Sequence, residues 1–193
     1  RNLLDASGKA TSQDDVLAFA RLFERLAVPG NLAVQLATGL QQAANSKASS
    51  APLMPRTVRQ LTWLGVDPIV LARIEPYVSL LPERTTVNLN TASAEVIWAS
   101  NTDLDWASAS QLVQVRDSTP FKSIADAAKA AGNASAFGSS TYSVTTQYFE
   151  ARGRLRLGEN VLSQRSLLQR KDMTVTTLWQ EQADWGMPPV ARR

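Results

Sequence analysis

The sequence predicts an α+β fold in which helices come first and a small antiparallel sheet comes last. Two observations predict it. Apolar residues recur at three- and four-residue spacing through most of the chain, and from Tyr142 onward the period drops to two. A third observation, the helix start and stop signals between the periodic stretches, divides the helical part into short pieces.

The first helix is expected after Thr11-Ser12-Gln13, with Asp14 and Asp15 in its first turn, where carboxylates favour the positive end of the helix dipole. Val16, Phe19, Ala20, Phe23, Leu26 and Ala27 mark the face to be buried. Pro29-Gly30 stops this helix, and a second apolar helix is expected over 31–42. Residues 43–55, rich in Ala, Ser, Asn, Lys and Pro and without periodicity, read as a loop. Two short helical segments follow over 57–81, broken at Gly65-Val66-Asp67-Pro68, and a helical pair over 93–129.

From Tyr142 the pattern is that of strands. Phe149, Ala151, Gly153, Leu155 and Leu157 alternate with Tyr148, Glu150, Arg152, Arg154 and Arg156, so one face is expected to be apolar and the other wet. Gly158-Glu159-Asn160 is a turn, strands over 161–169 and 174–179 follow, and the result is a three-stranded meander. Three strands with one apolar face leave that face open until a helix covers it.

Composition narrows the chemistry. The 193 residues carry 20 Lys and Arg against 17 Asp and Glu, a net +3 too small and too spread to demand an anionic partner. There is no Cys, hence no disulfide and no thiolate chemistry, and no His, which removes Ser-His and Cys-His catalysis and most transition-metal sites. Carboxylate-pair and Ser-Lys chemistry have no motif, so the chain is not expected to be an enzyme and no catalytic or cofactor-binding residue is assigned. No run approaches the roughly 18 apolar residues of a membrane helix.

The most informative string is Val87-Asn88-Leu89-Asn90-Thr91-Ala92-Ser93-Ala94-Glu95-Val96-Ile97, joined by Thr119-Pro120-Phe121-Lys122-Ser123-Ile124-Ala125-Asp126. Taken singly its residues are helix caps and local backbone partners. Together they resemble the helix-hairpin-helix-like repeats of competence-type DNA receptors and of the helical insert in type II secretion system protein K. The tail, Tyr148-Phe149-Glu150-Ala151-Arg152-Gly153-Arg154-Leu155-Arg156-Leu157-Gly158 with Val161-Leu162 and Ser166-Leu167-Leu168-Gln169-Arg170, resembles the closing strands of protein K. Asn2-Leu3-Leu4-Asp5 and Leu80-Leu81-Pro82 resemble further parts of that family.

The protein K resemblance implies a pilin-like antiparallel sheet, residues 1–11 with 139–193, into which an all-helical domain, 12–138, is inserted. It implies a minor pseudopilin at the pseudopilus tip, which helps initiate assembly and drives export of folded exoproteins across the outer membrane. Its partners would be other minor pseudopilins, with the outer-membrane secretin and exoproteins as further candidates. Its place would be the periplasm, anchored in the bacterial inner membrane before assembly by a helix upstream of Arg1. The competence-receptor resemblance leaves a DNA-binding module as the alternative.

The residues argue against that alternative. Helix-hairpin-helix modules hold phosphate on the backbone amides of a Gly-rich hairpin, whereas Asn101-Thr102-Asp103-Leu104-Asp105 and Gly65-Val66-Asp67-Pro68 bring carboxylates there. Arg152, Arg154 and Arg156 form a row on one strand, expected to be a solvated face. Asn101, Asp103 and Asp105 match the first three ligand positions of a calcium loop, but Trp106 stands where Gly and Leu112 where Glu is needed. Calcium therefore stays a weak candidate, and the metal assignment stays open. The resemblance implies a family whose members can bind calcium, but whose relatives often carry an Asp- and Glu-rich stretch where this chain has residues 43–55. Trp98 and Trp106 are expected in the core and Trp185 as an exposed anchor.

Overall fold

The computed structural model describes residues 1–4, 12–45, 50–133 and 135–182. The chain divides into two units, Arg1–Thr145 and Thr146–Arg193. Among the described residues no helix is long and apolar enough to cross a membrane.

The first unit is helical. Helices α1 (Gln13–Arg25) and α2 (Asn31–Asn45) are followed by a 3-10 helix (Val58–Leu64), then α3 (Pro68–Ile74), α4 (Ala94–Ser100), α5 (Trp106–Ser118) and α6 (Ile124–Ala130). Ser12 caps α1 through the amide of Asp15, as its sequence predicts. What ends α1 is Ala27 at φ 56°, two residues before Pro29-Gly30. Val28 N bonds Phe23 O at 2.8 Å and Ala27 N bonds Glu24 O at 3.1 Å, a Schellman closure with Ala where Gly is usual.

The buried face of α1 is Asp15, Ala18, Leu22 and Phe23, rotated part-way from the expected stripe: Phe23 is fully buried and Val16, Phe19, Ala20 and Leu26 pack half-buried against the same core, while Ala27 is exposed. The rotation has a polar cause. Asp15 is fully buried, and Arg1 and Arg84 reach it at 3.4 and 3.0 Å, so the helix turns that carboxylate inward. Because the two arginines keep partial contact with water, Asp15→Ala is expected to cost about 3 kcal/mol, at the low end for breaking a buried charge pair. A denaturant midpoint unchanged from wild type would overturn this.

Two apolar cores fill the unit. One gathers Leu22, Phe23, Leu32, Leu36, Leu40, Leu61 and Ile74; the other gathers Leu89, Ile97, Leu104, Leu112, Phe121 and Phe137. Val96 and Trp98 of α4 pack against both, so this short helix is their shared wall. Two strand fragments, β1 (Val87–Asn88) and β2 (Tyr142–Ser143), pair in parallel. The expected helical pair over 93–129 proves to be three helices, separated at Asn101 and Thr119, which end α4 and α5 in extended conformation. Residues 43–55 open with the last turn of α2, and their described remainder, 50–55, has no regular structure.

The second unit is the expected meander: β3 (Tyr148–Leu157), β4 (Asn160–Lys171) and β5 (Thr174–Gln182), antiparallel and in that order. Leu167 lies opposite Trp179 but Leu168 opposite Thr177, so Leu178 is an extra residue in a bulge. The alternation is as predicted, and the exposures of the two faces differ from the expected ones. Phe149, Leu155, Leu157 and Leu162 are exposed, with Leu155 at 66% and Leu157 at 78%. The buried residues, Tyr148, Arg165 and Leu167, lie on the face expected to be wet. Charge is accommodated there because Arg165 bonds Glu181 through Nε at 2.8 Å and its guanidinium lies 5.4 Å from the Trp179 ring.

Candidate functional site

The Asn-rich string is the best-connected polar node of the helical unit. Asn90 Oδ1 accepts from Phe121 N at 2.9 Å, and Asn90 Nδ2 donates to Phe121 O at 2.9 Å and Val144 O at 3.0 Å. Asn88 Oδ1 accepts from Asn90 N at 3.0 Å, and Asn88 O accepts from Ala92 N at 2.8 Å, which fixes the turn into α4. Arg116 of α5 donates from Nη1 to Leu89 O at 2.8 Å and to Ala92 O. Burial pulls the Arg116 guanidinium below its usual value, against the opposing charge of Asp117. Ser93 caps α4 through Val96 N, and Ser123 with Asp126 forms a capping box on α6. The two halves of the motif are thus joined by one carboxamide. Their chemistry is that of a structural clasp.

The hairpins are organised by their own carboxylates. Asp67 Oδ1 accepts from Ile69 N at 2.7 Å and Val70 N at 3.4 Å at the start of α3. Asp105 Oδ1 accepts from Ser108 N at 2.7 Å at the start of α5, and this bond holds its carboxyl below the ordinary range. The amides that a phosphate would use at these two helix starts are already engaged by acids.

Asn101, Asp103 and Asp105 do not form an oxygen cage. Asn101 is buried, its Oδ1 accepting from Asp103 N at 2.9 Å and its Nδ2 donating to Ala136 O at 2.7 Å. Among the described residues no three acidic side chains come together as metal ligands. Ser100 sits next to them in a second polar knot: its carbonyl accepts from Arg1 Nε and Nη2 at 3.2 and 3.0 Å and from Tyr142 Oη at 2.7 Å.

On β3, Arg152 bonds Glu150 and Arg156 Nε donates to Gly158 O at 3.0 Å, with both arginines exposed. Trp98 is half-buried between the two cores as expected, whereas Trp106 is 36% exposed. Trp185 lies outside the described residues. Sequence reasoning missed the side chains that stack on these rings: the Arg21 guanidinium lies 4.5 Å from the Trp98 ring centre and that of Arg25 4.0 Å from Trp106. The spacing of the two arginines, one turn apart on α1, was visible; that α4 and α5 bring tryptophans to them was not.

Comparison with known proteins agrees with this organisation. A family model described as type II secretion system (T2SS), protein K, matches residues 87–145, the segment from β1 to β2 that contains the Asn90 clasp. The type II secretion system protein K of Pseudomonas aeruginosa strain PAO1 is 31% identical over 135 residues, which are 69% of this chain and 40% of that protein. The chain therefore spans less than half the length of that curated relative. In fold it matches a chain from the crystal structure of the GspK-GspI-GspJ complex of the enterotoxigenic Escherichia coli type 2 secretion system, with a TM-score of 0.67 and 20% identity, covering 95% of this chain and 75% of that one. The chain is thus similar in sequence to type II secretion system protein K over 69% of its length, matches that family's model through residues 87–145, and shares over nearly its whole length the fold of a chain in that complex.

Proposed function

We propose that the chain is the periplasmic part of a minor pseudopilin of a type II secretion system. In this reading it is a structural subunit at the pseudopilus tip that helps start assembly and drive export of folded exoproteins across the outer membrane. The observation that carries the proposal is the sheet: a three-stranded meander leaves Phe149, Leu155, Leu157 and Leu162 exposed on one apolar face, which is the anatomy of an assembly element. The sequence similarity to protein K and the fold shared with a chain of a three-component complex support it.

The partition into a pilin-like part, 1–11 with 139–193, and an inserted helical domain, 12–138, belongs to the same proposal. So do inner-membrane anchoring before assembly and contacts with the secretin and with exoproteins. The immediate partners are the other minor pseudopilins.

The test is to mix the chain with the periplasmic domains of the other minor pseudopilins of its own secretion system and resolve the mixture by size-exclusion chromatography. A soluble complex burying on the order of 1,200 Å² or more is expected, weakened more by substitutions on the open sheet face than by those on the outer helices. Separate monomers at tens of micromolar, with every partner singly and together, would remove the proposal.

A further inference from the structure

On the helical unit, α1, α4 and α5 build a ladder of two rings flanked by two cations. Arg21 stacks on Trp98, Arg25 stacks on Trp106, and the two indoles meet edge to face with centres 6.4 Å apart. Stacking fixes the plane of a guanidinium while leaving its N–H edge for a hydrogen-bonded anion. Neither Arg21 nor Arg25 has a carboxylate in ion-pair range among the described residues. Nη1 of Arg21 is buried and donates to no acceptor there. A buried donor left in that state costs free energy that an incoming acceptor would recover.

Two of the acids close to the ladder in sequence are turned elsewhere. The Glu24 carboxylate lies over Gly30, 2.7 Å from where a side chain on that glycine would begin, and the Asp105 carboxylate caps α5. Leu17, one turn before Arg21, is 53% exposed and supplies an apolar neighbour.

We propose that this ladder is a docking surface for an acidic segment of a partner protein, with one carboxylate on the Arg25 edge and a second on Arg21. The two arginines stand one helical turn apart, about 5–6 Å at their Cβ atoms. Two carboxylates carried by neighbouring residues of a chain therefore match the pair better than a single small anion does. Arg and Trp with an exposed aliphatic neighbour are also the residue types that concentrate binding energy at protein interfaces. The inference goes beyond the assembly reading, because it concerns the helical unit and is tested on the chain by itself.

The probe is the peptide acetyl-Glu-Glu-Leu-Glu-Glu-amide, with the corresponding Gln peptide and inorganic phosphate as comparisons, followed by the indole N–H resonances of the nitrogen-15-labelled chain. Saturable shifts are expected at Trp98 and Trp106 but not at Trp63 or Trp179, with the Gln peptide about tenfold weaker or worse. Arg25→Gln is expected to lower affinity about tenfold, and Trp106→Leu, which keeps the charge and removes the stack, to lower it as well; both should melt cooperatively and be folded at the temperature of the titration. The proposal is overturned by shifts that fail to saturate at millimolar peptide, by phosphate binding as tightly as the peptide, or by both variants binding like wild type.

Discussion

Leu167→Asp is expected to abolish the folded sheet, and Leu155→Asp to leave it intact. The two side chains lie on opposite faces, since Leu155 faces Leu162 and Leu167 faces Glu150 and Trp179 across the strands. Leu167 is 5% exposed and Leu155 66%, so only the first substitution puts a charge where water is excluded. Removing the leucine and burying a carboxylate should together cost about 4 kcal/mol or more, a large part of the stability of a domain of this size. Separate melting transitions for the two units would show the loss confined to the second. Equal midpoints for the two variants would show that the faces are misassigned.

Asn90→Asp is the second large effect, expected at about 3 kcal/mol. The carboxamide uses both ends, accepting from Phe121 N and donating to Phe121 O and Val144 O. An aspartate keeps the acceptor but turns the donor into a second oxygen facing two carbonyls, so two attractions become repulsions and two acceptors lose their donor. Asn90→Ala leaves the same groups without partners but adds no repulsion, and should cost about 2 kcal/mol. The measurement is urea denaturation followed by near-ultraviolet circular dichroism. If Asn90→Asp proves no more destabilising than Asn90→Ala, the donor role assigned to Nδ2 is wrong.

Much of this architecture was legible because it rests on local signals. Ser12 and Ser93 each cap a helix three residues along the chain, so a capping residue before a periodic stretch was enough to find those starts; Asp67, Asp105 and Ser123 cap α3, α5 and α6 over two or three residues in the same way, and the structure assigns that role to the two acids. The meander was legible for the same reason: alternation and two turns specify hairpins between neighbouring strands. The carboxylates that argued against phosphate binding at Asp67 and Asp105 were visible too, and the structure adds that each is spent on helix amides.

What the sequence by itself determined is the helix-then-strand order, the meander and the absence of histidine and cysteine chemistry. The tertiary structure alone decided which faces are buried, because burial depends on what arrives from far along the chain. Arg84 comes 69 residues away to neutralise Asp15 and so sets the rotation of α1. Glu181 comes 16 residues away to let Arg165 be buried. Arg21 and Arg25 meet tryptophans from α4 and α5 by the same route, and Val87 finds Tyr142 across the whole second core. Periodicity records which side chains share a face, but the free energy of hiding a charge depends on a partner that the local pattern does not contain.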